Sequence, residues 1–114
     1  MASEIAADKL AELKALGGDA LISKLLGKFV ENSGKLLTDA LTATAAGDAS
    51  KVDYCVHTLK GSALSLGLND MSTILVDLNT RTKAKNLNGA EADLKKLQQL
   101  LLEVKDYKNA NFPS

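Results

Sequence analysis

The sequence is poor in several residue types that mark whole classes of protein. Its 114 residues include one proline, Pro113, one cysteine, Cys55, one histidine, His57, and no tryptophan. A lone cysteine makes no internal disulfide, and one cysteine with one histidine falls short of the three or four protein ligands of a zinc site. We therefore expect neither a disulfide scaffold nor a bound metal.

Long apolar runs and an excess of one charge are also missing. The sequence has no run of about 18 apolar residues that could span a bilayer. Its 14 basic side chains balance 14 acidic ones, whereas binding to nucleic acid depends largely on a surplus of lysine and arginine. The first residues, MASEIAADKL, lack the basic and apolar regions of a signal peptide. We expect a cytoplasmic protein that binds neither nucleic acid nor a membrane.

Glycine supplies the breaks between segments, because no proline precedes Pro113. The chain divides into five segments, each long enough for a helix, at Gly17–Gly18, Gly47, Gly67 and Gly89. Apolar residues recur at steps of three and four, the period of a helix face, and no stretch alternates for long enough to be a strand. Asn88 and Glu91 have the spacing of a capping box at the start of the last segment.

These features predict an all-α protein. Short connections favour antiparallel neighbours, so we expect an up-down antiparallel four-helix bundle with a short additional helix at its N-terminus. Residues 1–114 form a single domain in this interpretation. We expect its core over about residues 19–108 and a frayed tail over residues 109–114, unless Tyr107 and Phe112 pin the tail to the bundle.

The only histidine lies on the third segment, and the helical period gives its direction. At about 100° per residue, most apolar residues of the segment fall within about 60° of Leu59, the centre of the buried face. His57 points about 160° away from Leu59, Gly61 about 160° away on the other side, and Leu64 about 140° away. Lys60, at about 100°, is a surface neighbour of His57. We expect His57 and Gly61 to face solvent.

An exposed histidine is in most cases an ordinary surface residue, and that interpretation stays open. Gly61 favours a function, because a glycine inside a helix costs about 0.5–1 kcal/mol relative to alanine and an outward face needs no small residue for internal packing. We interpret Gly61 as space for another molecule, with Leu64 as an apolar contact beside it. Imidazole is a nucleophile near pH 7, and Lys60 can neutralise charge such as that of a phosphoryl group.

No fuller catalytic arrangement is evident in the sequence. We find no carboxylate on the same ridge close enough to His57 to form an evident dyad, no Gly-x-Ser-x-Gly elbow, and no glycine-rich loop followed by lysine that could hold a nucleotide. Cys55 points away from His57, which predicts a core residue rather than a nucleophile. These observations exclude a kinase that acts alone, and we expect no cofactor in this chain.

The run His57–Ala63, HTLKGSA, followed by Leu66–Gly67, resembles the signature of the histidine-containing phosphotransfer (HPt) domains of multistep two-component relays. The resemblance covers most of residues 19–85. It implies a four-helix bundle in which His57 accepts a phosphoryl group from an aspartate of one receiver domain and passes it to another.

The resemblance also implies roles for single residues. Lys60 would steady the phosphoryl oxygens, Gly61 would make room for the receiver, and Ser62 belongs to the same motif. The family often has glutamate or glutamine near the imidazole where this chain has Asn79. We expect Asn79, and Lys83 one turn later, to belong with Gly61 and Ser62 to the surface on which the partner docks.

The partners implied are receiver domains of response regulators and of hybrid histidine kinases. Magnesium would belong to the receiver, and one exposed site needs no second subunit, so we expect a monomer. Two alternatives remain: a helical adaptor that binds receivers or kinases without being phosphorylated, and a piece of a hybrid sensor kinase.

Overall fold

The computed structural model describes residues 3–113 and confirms the all-α architecture. Four helices follow one another: α1 (Ala7–Ala45), α2 (Ala49–Ser65), α3 (Asn69–Lys83) and α4 (Ala90–Asn111). Among them, α1 packs against α2 and α4, and α3 packs against the same two helices. Short turns join consecutive helices, so neighbours run antiparallel in an up-down bundle.

α1 contains both the short N-terminal helix and the long second helix that the sequence predicts. The two meet at Gly18, whose φ of 68° and ψ of −163° are not helical. Any residue with a Cβ is strained at this positive φ, so glycine suits the position. Beyond the break, α1 runs uninterrupted through Gly27 and Gly34.

The C-terminal tail is not frayed, contrary to the prediction for residues 109–114. α4 continues to Asn111, and Phe112 is only 5% exposed. The rings of Phe112 and Tyr107 meet edge to face with their centroids 5.6 Å apart. Phe112 belongs to the hydrophobic core and Tyr107 packs against it, so the two rings hold the end of α4 to the bundle. Ser114 lies outside the described residues.

The N-terminal segment also extends the core beyond the predicted residues 19–108. Ile5 is buried and forms an isolated antiparallel bridge with Leu68, in the turn between α2 and α3. The backbone N–H of Ala6 donates to the carbonyl oxygen of Gly67 at 2.9 Å. A Cβ at Gly67 would lie 2.9 Å from the Cβ of Lys9, so glycine permits this close crossing.

The turn between α3 and α4 differs from the predicted capping box. Gly89, with a φ of 75°, is the N-cap of α4, and no side chain caps the helix. Arg81 closes the turn instead: its Nη1 donates to the carbonyl oxygen of Asn88 at 2.8 Å, and its Nη2 pairs with Asp93. The guanidinium thus binds both sides of the turn, and the Asn88 side chain is not needed as a cap.

Candidate functional site

α2 carries most of the candidate site, and its sequence fixes which way its side chains point. Asp48 caps the helix, because its Oδ1 accepts a hydrogen bond from the backbone N–H of Lys51 at 3.2 Å. The buried residues of α2 form one stripe, Val52, Cys55, Val56, Leu59 and Ala63. This stripe packs into the bundle and leaves the opposite side of α2 to solvent.

His57 and Gly61 lie on that solvent side, as predicted. Both are exposed. His57 makes no side-chain hydrogen bond within the part of the chain that the structure describes. At Gly61, an added Cβ would meet no heavy atom within 4 Å apart from its own helix backbone and chain neighbours. The imidazole is therefore accessible, and nothing inside the bundle requires a glycine one turn after it.

The other motif residues surround this pair. Lys60 is half-buried and makes no ion pair with any residue between 3 and 113, while Ser62 is exposed. Leu64 is 52% exposed, as its predicted direction requires. Lys83 is exposed in the last turn of α3, which lies beside the first turns of antiparallel α2. Lys60 is thus the basic group nearest to His57 along α2.

Asn79 is not on the surface, and the expectation that it belongs to the docking surface is wrong. Its side chain is 1% exposed. Its Nδ2 donates to Oδ1 of Asp53 at 3.0 Å and to Oγ1 of Thr82 at 3.3 Å. Asn79 follows Leu75 by one helical turn and shares its buried face. The amide therefore points between α2 and α3 rather than towards a partner.

Asp53 is the site residue that the sequence analysis missed. It lies on α2 one turn before His57, which places both on neighbouring surface positions of one ridge. Its Oδ1 accepts hydrogen bonds from Nδ2 of Asn79 at 3.0 Å and from Oγ1 of Thr82 at 2.9 Å. The four-residue spacing between Asp53 and His57 was the available signal for this neighbour.

An open groove of about 880 Å³ between α1 and α2 adjoins Gly61. Its lining is mostly apolar and also includes small polar groups and lysines. The apolar side chains are Leu13, Leu25, Phe29, Leu36 and Leu66, and α2 also contributes Thr58, Gly61, Ser62 and Ser65. Sequence analysis did not foresee this groove, because its shape depends on how α1 packs across α2.

Exposed apolar side chains also cluster near the imidazole. Tyr54, three residues before His57, is 66% exposed, and Leu64, seven residues after it, is 52% exposed. The contact of Asp53 with α3 sets the helix register and brings Val76, which is 46% exposed, to about the level of His57. Exposed apolar side chains thus lie on α2 before and after His57 and on the neighbouring α3, a composition typical of a protein-binding surface.

Cys55 takes no part in this surface. It is 1% exposed, and burial, with a smaller contribution from the carboxylate of Asp39, raises the pKa of its thiol. A protonated, buried thiol is a poor nucleophile, which agrees with the predicted core position. Residues 3–113 contain no cluster of three histidine, cysteine or acidic side chains able to hold a metal ion. No helix in this range is long and apolar enough to cross a membrane.

Comparison with known proteins adds a family to this geometry. The Hpt domain family matches residues 24–107. Histidine-containing phosphotransfer protein 2 of Arabidopsis thaliana is 36% identical over 107 residues, which cover 89% of this chain and 67% of that protein. The crystal structure of histidine-containing phosphotransfer protein B (HptB) from Pseudomonas aeruginosa PAO1 shares the fold with a TM-score of 0.83. At 23% identity, that match covers 94% of this chain and 92% of the other. The chain therefore belongs to the Hpt domain family, whose members are phosphocarriers of phosphorelays rather than autonomous kinases.

Proposed function

We propose that His57 accepts a phosphoryl group from the phosphorylated aspartate of one receiver domain and passes it to an aspartate of another. The observation that carries this proposal is the position of the chain's only histidine. It is exposed in the middle of α2, one turn before an exposed glycine that lines an apolar groove. A group-transfer protein needs such a nucleophile within reach of its partner's reacting atoms.

The transfer needs no nucleotide and no third protein. A neutral imidazole nitrogen of His57 attacks the phosphorus of the receiver's acyl phosphate. The N–P bond forms, the P–O bond to the aspartyl carboxyl breaks, and the carboxylate leaves. The second receiver reverses these steps with its own carboxylate. In this proposal the receiver supplies magnesium, and this chain binds neither a cofactor nor a nucleotide.

Lys60 supplies the positive charge that the phosphorylated histidine requires. A phosphoryl group adds about −1.5 to −2 charges at neutral pH. Lys60 follows His57 by three residues on the same helix, a spacing at which side chains are neighbours. Because it has no ion-pair partner among residues 3–113, its ammonium is available to the phosphoryl oxygens.

The docking surface comprises Gly61, Ser62, Leu64 and the groove beside them. Receiver domains of response regulators and of hybrid histidine kinases are the proposed partners. Gly61 leaves open space beside the imidazole, and the apolar groove offers contact area to a partner helix. Lys83 extends the positive charge along the same side of the bundle. Since the site is complete in one chain, the protein acts as a monomer.

A phosphorylation-independent adaptor is the second candidate, because the apolar groove and Leu64 would serve it equally well. The two functions separate in a relay rebuilt from a phosphorylated receiver, this protein and a second receiver. A carrier with His57→Gln still binds the receivers in calorimetry but moves no phosphoryl group to the second one. If the protein is only an adaptor, neither wild type nor His57→Gln moves a phosphoryl group to the second receiver, and that outcome would overturn the proposed function.

A further inference from the structure

Only one oxygen of the Asp53 carboxylate accepts hydrogen bonds from described residues. Both α3 donors, Nδ2 of Asn79 and Oγ1 of Thr82, bind the same oxygen, Oδ1, at 3.0 and 2.9 Å. No residue between 3 and 113 donates to Oδ2, and Asp53 takes part in no ion pair within that range. The contacts with α3 therefore fix the carboxylate and leave one oxygen available.

His57 is the group best placed to use that oxygen. Residues four apart on a helix have Cβ atoms about 5–6 Å from each other. Aromatic side chains on a helix lean back towards its N-terminus, over the residues three and four positions earlier. The positions of Asp53 and His57 differ by about 40° around α2. With no other side-chain hydrogen bond from described residues, the imidazole of His57 is free to turn towards Asp53.

We propose that Oδ2 of Asp53 accepts a hydrogen bond from Nδ1–H of His57, so that the lone pair of Nε2 faces the receiver. The inference rests on the proposed phosphotransfer and names Asp53 as a positioning residue. A neutral imidazole carries one N–H, and the partner of one nitrogen decides which nitrogen is free to react. Asn79, turned inward, holds Asp53 instead of contacting the imidazole.

The same hydrogen bond serves the transfer step. The lone pair of Nε2 forms the N–P bond while the P–O bond of the receiver's acyl phosphate breaks, and the proton stays on Nδ1. The ring then carries a positive charge, which the Asp53 carboxylate faces. Transfer to the next receiver returns the electron pair to Nε2 and restores the neutral ring. No proton has to leave or enter the site in either direction.

The variant Asp53→Asn isolates the role of Oδ2. An asparagine at this position keeps an Oδ1 that accepts from Asn79 and Thr82, but it replaces the second acceptor oxygen with an NH₂ group. The helix contact is therefore retained while the hydrogen bond to His57 is lost. Asp106→Asn is the matched control, because Asp106 is an exposed carboxylate on α4, and α4 does not pack against α2.

Two measurements test the proposal. Long-range ¹H–¹⁵N correlation spectra at alkaline pH should show mainly the Nδ1–H tautomer of His57 in wild type and in Asp106→Asn, and mainly the Nε2–H tautomer in Asp53→Asn. Asp53→Asn should also receive phosphoryl groups about ten- to a hundredfold more slowly, by analogy with the loss of a partner that orients a metal-bound histidine.

A wild-type spectrum dominated by the Nε2–H tautomer would overturn the inference without any variant. Transfer by Asp53→Asn at the wild-type rate would also overturn it. Both results are compatible with the proposed function, which fails instead if wild-type protein is not phosphorylated at all.

Discussion

Gly61 separates a structural role from a functional one, because the two roles predict opposite results. The residue has ordinary helical angles inside α2, and a Cβ there would enter open space. Replacing a glycine by alanine inside a helix gains about 0.5–1 kcal/mol. For a chain of this size, the gain raises the midpoint of thermal unfolding by about 2–4 °C. Gly61→Gln should be about neutral or slightly stabilising.

Phosphotransfer should change in the opposite direction. In Gly61→Gln the long side chain occupies the space through which a receiver approaches His57, and transfer should fall at least about tenfold. Gly61→Ala adds one methyl group and should have a smaller effect. Thermal melts give the stability of each variant, and initial rates with a phosphorylated receiver give its transfer.

Gly34 offers a matched control on the other side of the molecule. It is also an interior helical glycine whose added Cβ would meet nothing within 4 Å, but it lines a groove between α1 and α4. Gly34→Ala should stabilise as much as Gly61→Ala, and Gly34→Gln should leave transfer unchanged. Destabilisation by Gly61→Ala, or full transfer by Gly61→Gln, would refute the assignment of Gly61 as space for the partner.

Two further predictions concern Lys60 and Cys55. Lys60→Ala should slow transfer or shorten the lifetime of the phosphohistidine, with Lys51→Ala as control. If Lys60→Ala matched wild type in labelling, transfer rate and phosphohistidine lifetime, Lys60 would have no role in the mechanism. Because burial raises the pKa of the Cys55 thiol, the folded state holds its proton at a pH where the unfolded state has lost it. The contribution of this thiol to the free energy of unfolding is therefore fully present below about pH 8.5 and is lost as the pH rises. In urea unfolding at several pH values, Cys55→Ala should lose less unfolding free energy at alkaline pH than wild type does. The same dependence of unfolding free energy on pH in both proteins would contradict this.

Much of the fold could be predicted because local chemistry determines it. The breaks lie where glycine permits a positive φ, at Gly18, Gly47, Gly67 and Gly89. The direction of His57 followed from the apolar stripe of α2, since a helix that buries one face exposes the opposite face. Tyr107 and Phe112 were recognisable in the sequence as rings able to pin the tail, but whether they reach the core depends on where α4 ends against the bundle.

The environment of His57 could be predicted only in part, because it depends on contacts between helices. Asn79 and Thr82 follow Leu75 at helical spacing and could have been assigned to a buried face. Asn79 and Thr82 bind Asp53 because of the register of α3 against α2. The apolar pattern of one helix carries no information about that register. The groove beside Gly61 likewise exists only once α1 crosses α2.

The most direct test of the central claim is the chemical identity of the phosphorylated residue. After incubation with a phosphorylated receiver, the labelled protein should carry one phosphoryl group on His57, labile in acid and stable in base because it is bonded to nitrogen. His57→Gln should carry none and, because the side chain is exposed, should change the free energy of unfolding by no more than about 0.5 kcal/mol. Label that persists in acid, or that remains on a folded His57→Gln protein, would contradict the assignment of His57 as the phosphoryl acceptor.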